Sequence, residues 1–347
     1  MELEQKKFKT INLSDSFFDS LKAAYSEFTD WFVSKSEQSA YVFENEEGIQ
    51  GFLYLKTEDG IIDDVTPPLP PKTRIKVGTM KINAHGTKMG ERFVKKILDH
   101  AVHSSAAEIY VTVFEEHQGL IRLLNRYGFN SIGHKHTKNG TEQVMLKSLE
   151  LPFDNFYLSY PKVNLRNANC YVLSLWPMWH TRLLPDSMLR NERSDIVEDV
   201  SSANSIHKVY LCAMKGVEVL KPGDVIVIYR TSDDQGPAHY RSVATSIGVI
   251  EDYKNIHEFS TKEEFFRYCR AHSVFNHAEL EMFWKSKKYF HVFKFTYNIA
   301  FKRRVNRATL IEELGLSSPY WGFFKISDKQ LQSIAAKGEV NEGLIVN

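Results

Sequence analysis

The chain has 347 residues, enough for two domains, and its 43% hydrophobic and 25% charged residues are typical of a globular protein. The formal net charge of +1 excludes a strong overall attraction to nucleic acid or to an anionic membrane. Any nucleic-acid surface therefore has to be a local patch.

The cysteines, the histidines and the lack of long apolar runs exclude further classes of protein. Cys170, Cys212 and Cys269 are odd in number and widely spaced, which favours buried thiols in a reducing compartment over disulfides or a zinc site. The histidine pairs, such as His100 and His103, have no third ligand at a suitable spacing, so no metal site is expected. No apolar run approaches the roughly 20 residues that span a bilayer, and the start carries no signal region. The sequence indicates a cytoplasmic protein.

The first predicted elements are a helix, two strands and a loop. A broad apolar face that includes Phe17, Phe28 and Phe32 predicts one helix over 16–36. Strands are predicted at 40–43 and 49–55. The run Pro67-Pro-Leu-Pro-Pro71 predicts a surface loop without regular structure.

The stretch 74–129 carries the most functional information. Its pattern predicts, in order, a strand over 74–82, a loop over 85–90, a helix over 90–103, a strand over 109–114 and a second helix before Gly128-Phe129. The loop lies between the end of a predicted strand and the start of a predicted helix. Backbone N–H groups and the positive end of the helix dipole meet there and suit a phosphate-bearing ligand. The alternative is an ordinary surface turn.

The rest of the sequence pattern divides the chain into two domains and a connector. Strands at 130–136 and 142–147 around Asn139-Gly140 predict a hairpin that closes an α/β domain over 1–149. Residues 150–205 are rich in Pro, Asn, Trp and Tyr, which predicts a connector packed on the second domain, with Trp176 and Trp179 in core or interface packing. A strand-rich pattern predicts a second domain over 206–347.

Two motifs in 1–149 resemble the GNAT superfamily of N-acetyltransferases. Its motif Arg/Gln-Gly-x-Gly-x-Gly/Ala between a strand and a helix is matched at Gly86 and Gly90, with His85 in the first position and Lys88 replacing the middle Gly. Its second motif, a strand and a helix that end in Gly-Phe, is matched in order and spacing by 109–129. The resemblance implies a mixed α/β domain with a splayed sheet.

The resemblance also implies a cofactor, acetyl-CoA or another acyl-CoA. The free edge of the first strand would pair with the amide-bearing arm of coenzyme A, and the loop N–H groups would hold its pyrophosphate. Lys88 would add a cation beside the phosphates. The cofactor-binding residues implied are Met80, Ile82, His85, Gly86, Thr87, Lys88, Met89 and Gly90.

Acetyl transfer to an amine needs a group that accepts a proton. Many family members carry a Tyr four residues before the Gly of the final Gly-Phe, where this chain has Leu124. Glu115, Glu116 and His117 follow the second strand and are the candidate catalytic bases. The alternative is a solvated turn whose acidic residues favour a helix N-terminus.

The C-terminal half resembles the PUA-like group of small β-barrels, which includes the ASCH and EVE domains. The resemblance lies in Lys221-Pro-Gly-Asp224 before a strand, in Ser246-Ile-Gly-Val-Ile250 and in Pro319-Tyr-Trp-Gly322. It implies an α+β chain whose second domain is a β-barrel that binds RNA or a modified nucleotide. Aromatic platforms and cations suit that role. The candidate residues are Tyr229, Arg230, Lys302, Arg303, Arg304, Arg307, Tyr320 and Trp321.

Barrel core is the alternative for these aromatic residues, and a solvated face is the alternative for the basic run. Two functions follow. The first is an acetyl-CoA-dependent N-acetyltransferase whose second domain recruits RNA or a modified nucleotide. The second is a non-catalytic acyl-CoA sensor or modified-base reader, which Leu124 in place of Tyr favours. Acetylation of a small molecule is a third possibility.

Overall fold

The computed structural model describes residues 3–83, 86–150, 155–189 and 200–346. The chain forms two compact units, Met1–Phe153 and Asp154–Asn347. No helix among the described residues is both long enough and apolar enough to cross a membrane. The three cysteines are free and buried, as expected, and burial raises the pKa of Cys170 and Cys212 to about 12.

The described part of the first unit is built on a seven-stranded sheet in the order β1-β2-β3-β4-β5-β7-β6. Of its described pairings, β4 with β5 is parallel and the others are antiparallel. The strands are β1 (Glu4–Lys7), β2 (Ser39–Asn45), β3 (Gly48–Ile62), β4 (Leu69–Ile82), β5 (Glu108–Phe114), β6 (Asn130–Thr137) and β7 (Gly140–Ser148). The helices are α1 (Asp19–Ala24), α2 (Phe28–Ser34), α3 (Met89–His103) and α4 (Gln118–Arg126).

The helices cover both faces of this sheet. Gly51 and Phe52 are adjacent in β3, so they point to opposite faces. Phe52 belongs to an aromatic cluster with Phe28 and Phe32 of α2. On the other face α3 packs so closely that a Cβ on Gly51 would lie 2.7 Å from the Phe93 ring. The β3–β5 region of the sheet is therefore packed against helices on both of its faces.

The single helix predicted over 16–36 is wrong, because it is interrupted in the middle. A short 3-10 turn precedes α1, which ends at Ala24, and α2 begins at Phe28. Tyr25 is extended, with φ −128° and ψ 101°. Its ring packs on Phe114, with the two centroids 5.7 Å apart. The break thus coincides with a contact distant in sequence, although the apolar pattern continues through it.

The loop predicted at the proline run is also wrong, because β4 starts at Leu69 and includes Pro70 and Pro71. The pairing of β3 with β4 shifts register between Gly60 and Ile62, opposite these prolines. Proline removes a backbone donor from a ladder and is tolerated where the ladder is irregular. The irregularity explains why the strand can contain both.

The described part of the second unit contains a six-stranded mixed sheet in the order β10-β13-β12-β11-β9-β14 and a small pair, β8 with β15. Its strands are β8 (Val163–Asn164), β9 (Cys170–Leu175), β10 (His207–Cys212), β11 (Val225–Arg230), β12 (Val243–Asn255), β13 (His291–Asn306), β14 (Phe323–Ile326) and β15 (Ile345–Val346). Its helices are α5 (Phe156–Ser159), α6 (Pro177–Leu183), α7 (Ser201–Asn204), α8 (Ala238–Arg241), α9 (Lys262–Cys269), α10 (His277–Ser286), α11 (Arg307–Glu312) and α12 (Asp328–Lys337).

The described pairings form an open sheet and do not close a barrel, because the edge strands β10 and β14 do not pair with each other. The segment 150–205, expected to be a connector, supplies a strand of this sheet. Its β9 lies between β11 and β14, and all six of its residues are buried. A strand buried on both faces lacks the alternating pattern that identifies strands in a sequence. This is why β9 is hard to recognise beforehand.

Candidate active site

Strands β4 and β5 part in the middle of the first unit's sheet. They pair in parallel over four residues each, ending at Val77 and Val111. Both strands continue beyond that point, β4 along β3 to Ile82 and β5 along β7 to Phe114. The result is a wedge-shaped gap at the position where the sequence resemblance implies a splayed sheet.

Gly78 is the residue at which β4 turns away from β5. It is an extra residue in the ladder, because Tyr54 faces Thr79 while the next residue, Leu55, faces Val77. Such a bulge bends its strand and re-aims the residues that follow. A side chain does not fit there, since a Cβ atom would lie 2.6 Å from Cδ1 of the buried Tyr54.

A cavity of about 1020 Å³ occupies the gap. This volume is at the upper end of the range typical of ligand sites. Its walls come from the two diverging strands, the loop before α3, the helices α1, α2 and α4, and the β6–β7 hairpin. The strands and the loop contribute residues 78–83, 86–90 and 111–114.

The loop before α3 has the backbone of a glycine-rich turn. Gly86 has a φ of 81° and Lys88 a φ of 59°, both in the left-handed region. Glycine adopts that region freely, whereas for other residues it costs roughly 1–2 kcal/mol. Met89 and Gly90, the first residues of α3, line the cavity. The positive end of the α3 dipole therefore lies at the cavity wall.

The expected cofactor-binding residues have different surroundings. Met80, Ile82, Thr87 and the residues just described line the cavity, whereas His85 lies outside the described residues. The Lys88 ammonium is 3.0 Å from Glu91, so part of its charge is already compensated. Gly90 serves helix packing, because a Cβ there would lie 2.8 Å from Cδ2 of Leu123 in α4.

The three expected catalytic residues are on an exposed turn. Glu115 and Glu116 are exposed and are not among the residues that line the cavity. His117 is exposed too, but it lines the cavity at the start of α4. Of the three, His117 alone is placed to meet a bound ligand.

Glu142 is a candidate that the sequence patterns do not reveal. Its residue is only 6% exposed, and it lines the cavity from β7, directly across from Phe114. The Tyr25 hydroxyl donates a hydrogen bond of 3.1 Å to Glu142 Oε1. No ion pair involves Glu142 within the described ranges. Burial, followed by this carboxylate, raises the pKa of Tyr25, so the phenol stays protonated.

Further contacts join the hairpin tip to the junction of α1 and α2. Asn139 Nδ2 donates to Glu27 Oε1 at 2.9 Å, and the Lys138 ammonium is 3.1 Å from Glu27 Oε2. Together with the bond from Tyr25 to Glu142, they fix one wall of the cavity. The Asn139-Gly140 turn is recognisable in the sequence, but its partners on the helices are not.

A second polar group lies where the two strands begin to part. Lys56 Nζ donates to Glu58 Oε1 at 2.8 Å, and the Tyr110 hydroxyl donates to Glu58 Oε2. Lys76 is 3.9 Å from the same Oε1. Burial acts to raise the pKa of Glu58, but the hydrogen bonds from Lys56 and Tyr110 outweigh it, so the pKa is lowered.

Helix α4 presents only apolar and small residues to the cavity. The lining residues are Gly119, Leu120 and Leu123, whereas Leu124 is buried in the core and does not line the cavity. Tyr127 is fully buried as well. Among the described residues that line the cavity, the tyrosines are Tyr25 and Tyr54, and neither comes from α4.

In the second unit, three of the expected nucleic-acid-binding residues meet. The rings of Tyr229 and Trp321 have their centroids 5.2 Å apart. The Arg307 guanidinium lies 4.4 Å from the Trp321 centroid, within the range of a cation–π contact. Trp321 is partly exposed, whereas Tyr229 is buried. The result is one partly open aromatic ring with a cation on it.

The other expected residues of that unit are spread out. Arg304 donates to the carbonyl oxygens of Asp186 and Met188 at 3.2 and 3.1 Å, so its role is structural. Arg230 is buried. Exposed positions belong to Lys302, Arg303 and Tyr320. The basic run lies in a strand, where neighbouring side chains alternate between faces, so it is not one continuous patch.

Comparison with known proteins found similarity among solved structures only. No protein-family model matches the chain, and no curated protein matches it either. Similar structures include a GNAT-family acetyltransferase from Streptococcus agalactiae, 10% identical, which covers 43% of this chain and 96% of that one, with a TM-score of 0.31. An ASCH protein from Zymomonas mobilis is 11% identical over 48% of this chain and 94% of that one, with a TM-score of 0.31. Ard1 from Thermoplasma volcanium is 13% identical over 42% and 96%, with a TM-score of 0.32.

The geometry of the first unit suits a long ligand with an anionic end. Among the described strands, none pairs with one side of β4 beyond Val77, and the cavity reaches the N-terminus of α3. The N–H groups in the first turn of a helix have no acceptor within it, so they can bind an anion. At another wall, Glu142 can accept a proton from an amine.

Proposed function

We propose that the first unit is an acetyl-CoA-dependent N-acetyltransferase. The observation that carries this proposal is the parting of β4 and β5 into a cavity that ends at the N-terminus of α3. A strand edge and a helix N-terminus in one cavity match the two ends of a coenzyme A thioester, which has an amide-bearing arm and a pyrophosphate.

The free side of β4 has a suitable length for that arm. Residues 78–82 continue β4 beyond its pairing with β5, and four steps along a strand span about 13 Å. The amides of the arm would pair with this edge as an added strand does. The pyrophosphate would then reach the loop at Gly86 and the first turn of α3.

The acceptor amine would approach from the side of Glu142 and Tyr25. The amine has to be neutral to attack the thioester carbonyl, and Glu142 would accept its proton while hydrogen-bonded to Tyr25. The new C–N bond forms as the C–S bond breaks, and the thiolate of coenzyme A takes up a proton. Phe28, Trp31 and Tyr54 also line the cavity, so the acceptor side is largely aromatic.

Calorimetric titration with acetyl-CoA tests the proposal, with Gly86→Glu as the variant. The new carboxylate would lie in the loop and repel the pyrophosphate, so affinity should fall at least tenfold. Gly60→Glu is a matched control, because Gly60 also has a positive φ (99°) and, like Gly86, has no described atom within 4 Å of an added Cβ apart from its chain neighbours. Gly60 does not line the cavity. Absence of binding to the unaltered protein would overturn the proposal.

For the second unit we propose that it recruits RNA or a modified nucleotide to the transferase. The partly exposed Trp321 with Arg307 on its ring supports this, because a base can stack on such a ring. Binding of a single-stranded RNA, measured by fluorescence anisotropy at several salt concentrations, is the test. Arg307→Leu should reduce the salt slope by about 1. Arg267→Leu, on the exposed side of α9, changes the net charge equally and should bind like the unaltered protein.

The alternative is a non-catalytic acyl-CoA sensor or modified-base reader. The absence of a tyrosine from the cavity-lining residues of α4 favours it. The two functions differ in turnover. Tight binding of acetyl-CoA without release of free thiol, assayed with RNA and with amine acceptors present, would support the sensor and contradict the transferase.

A further inference from the structure

Lys76 occupies a special place in the first unit. It immediately precedes Val77, the last residue of β4 that pairs with β5, so it lies where the wedge begins. Its side chain lines the cavity. Tyr110 is its partner in β5, and Lys76 Nζ lies 5.4 Å from the centroid of that ring.

Among the described residues, the ammonium of Lys76 makes only a long ion pair. In the ranges that the structure describes, its nearest anion is Glu58 Oε1 at 3.9 Å, beyond hydrogen-bond distance. That oxygen already accepts from Lys56 at 2.8 Å, and the other oxygen of Glu58 accepts from Tyr110. A partly buried ammonium held only by a long ion pair and a ring contact gains little to offset its desolvation, which makes the neutral amine more accessible.

The charges around Lys76 act in both directions, and burial decides the outcome. Burial is the main cause that lowers its pKa, and the cations Lys135 and Lys56 lower it further, whereas the carboxylates Glu58 and Asp64 raise it. The net result is a lowered pKa. The neutral, nucleophilic amine is therefore present at lower pH than for an ordinary lysine.

Other lysines that line the cavity are engaged. Lys56 donates to Glu58, and Lys81 donates to Ser20 Oγ at 2.5 Å. Lys88 pairs with Glu91, and Lys135 pairs with Asp64. Lys35 lines the cavity too, but it follows the last residue of α2 and is not on the diverging strands.

We propose that Lys76 is acetylated by acetyl-CoA bound in its own cavity. The inference rests on the proposed coenzyme site. An arm that pairs with residues 78–82 from the α3 end would bring its thioester to the narrow end of the wedge, beside Lys76. The neutral Nζ attacks the thioester carbonyl, the C–N bond forms, and the C–S bond breaks. The proton released from nitrogen goes to the leaving thiolate, so the products are Nε-acetyl-Lys76 and coenzyme A.

Acetylation would change the cavity in two ways. It removes one positive charge beside Glu58, and it fills the narrow end of the wedge with an amide and a methyl group. Both changes act where the next thioester would bind. The modified protein should therefore bind acetyl-CoA more weakly than the unmodified one, so the reaction limits itself.

Intact-mass spectrometry with peptide mapping tests the proposal on the full chain. After incubation with acetyl-CoA, the expected result is a gain of one acetyl group per chain, located at Lys76. Lys76→Arg should abolish the gain. Lys35→Arg is the matched control, because Lys35 also lines the cavity but lies outside the diverging strands, so it should leave the modification of Lys76 intact.

Two further measurements separate the possible failures. Calorimetry with coenzyme A on the same sample reports on the coenzyme site, so binding without modification of Lys76 overturns this inference and leaves the proposed function standing. If coenzyme A does not bind at all, both this inference and the proposed function are overturned. An acetyl thioester of N-acetylcysteamine, which lacks the nucleotide, should modify Lys76 much more slowly. Equal rates with both thioesters would show ordinary chemical acetylation and overturn the inference.

Discussion

In the proposed transferase, Glu142 and Tyr25 are the groups that would move a proton. A buried carboxylate is costly unless it is paired or hydrogen-bonded. Glu142 has the Tyr25 hydroxyl at 3.1 Å and, within the described residues, no cation close enough for an ion pair. An incoming amine would supply the missing positive charge at the moment it transfers its proton. The same carboxylate would thus bind the acceptor and act as its base.

Glu142→Gln should lower kcat for acetyl transfer by about 100-fold or more, the usual contribution of a positioned base. The amide keeps the shape and still accepts from Tyr25, so the Kd for acetyl-CoA should stay within about twofold of its original value. Release of free thiol gives the rate, and calorimetry gives the Kd.

Glu115→Gln serves as the control for this prediction, because Glu115 is an exposed glutamate outside the cavity lining. It should leave both quantities unchanged. If Glu115→Gln and Glu142→Gln reduced the rate equally, the assignment of the base to Glu142 would be wrong.

At the scale of residues, the sequence predicts the cavity wall formed by β4 and the loop before α3 better than the wall that contains Glu142. Met80, Ile82 and the residues from Gly86 to Gly90 line one cavity because they are contiguous along the strand and the loop. Glu142 comes from another strand, and Tyr25 reaches it across 117 positions of sequence. No local pattern encodes such a contact, and the acids that are near in sequence, Glu115 and Glu116, remain in solvent.

Among the elements, β4 and β5 are held together at the closed end of the wedge by a buried ion pair. Arg74 and Glu108 are register partners, and Arg74 Nε donates to Glu108 Oε2 at 2.7 Å. Arg74 is fully buried, and Lys72 also pairs with Glu108 at 2.8 Å. The pair therefore fixes where the parallel pairing starts, and the bulge fixes where it stops.

Glu108→Ala should lower the free energy of unfolding by about 3–5 kcal/mol, because it leaves the buried Arg74 without its counter-charge. The double variant Arg74→Met with Glu108→Leu should recover much of that loss, since it removes both charges. Chemical denaturation followed by circular dichroism measures both. A double variant as unstable as Glu108→Ala would mean that the lost packing, and not the unpaired charge, causes the instability.

Gly78→Ala should destabilise the first unit by about 1–3 kcal/mol, the usual cost of overpacking. The added methyl would meet the ring of the buried Tyr54, because its carbon would lie 2.6 Å from Cδ1. Affinity for acetyl-CoA should fall as well, because the bulge aims the free edge of β4. Thermal unfolding and calorimetry measure the two effects.

Gly119→Ala is the control for Gly78→Ala. Gly119 lies in α4 with nothing within 4 Å of an added Cβ, so alanine should maintain or slightly increase stability. If both variants lost the same stability, the loss at Gly78 would not come from the contact with Tyr54.

Elements whose apolar residues recur with a regular local spacing are predictable from the sequence. Elements whose bounds are associated with residues distant in sequence are not. Helix α3 and strand β5 lie close to their expected bounds because their apolar residues recur with regular spacing. The break between α1 and α2 occurs where Tyr25 packs against Phe114. The passage of β4 through Pro70 and Pro71 depends on a register shift in its neighbour β3. Neither feature is visible in a local window of sequence.

On the scale of the whole molecule, each unit has its own core. The first unit buries an aromatic cluster that includes Phe8, Phe18 and Phe52. The second buries a larger cluster built mainly on β9 to β13, which includes Leu173 and Phe293. The sequence indicates two strand-containing parts, but the expected barrel does not follow. Closure depends on how β10 and β14, the two edges, are placed, and local patterns do not encode that placement.

Separate cores predict that coenzyme binding protects only the first unit. With coenzyme A at about 100 times its Kd, linkage should stabilise the binding unit by about 2.7 kcal/mol. Amide hydrogen exchange of the full chain, with and without coenzyme A, should therefore slow at residues 78–82 and in the first turn of α3. Exchange in β12 and β13, which belong to the second unit, should stay unchanged. Slower exchange in both units would show that they unfold as one, and unchanged exchange at 78–82 would place the coenzyme elsewhere.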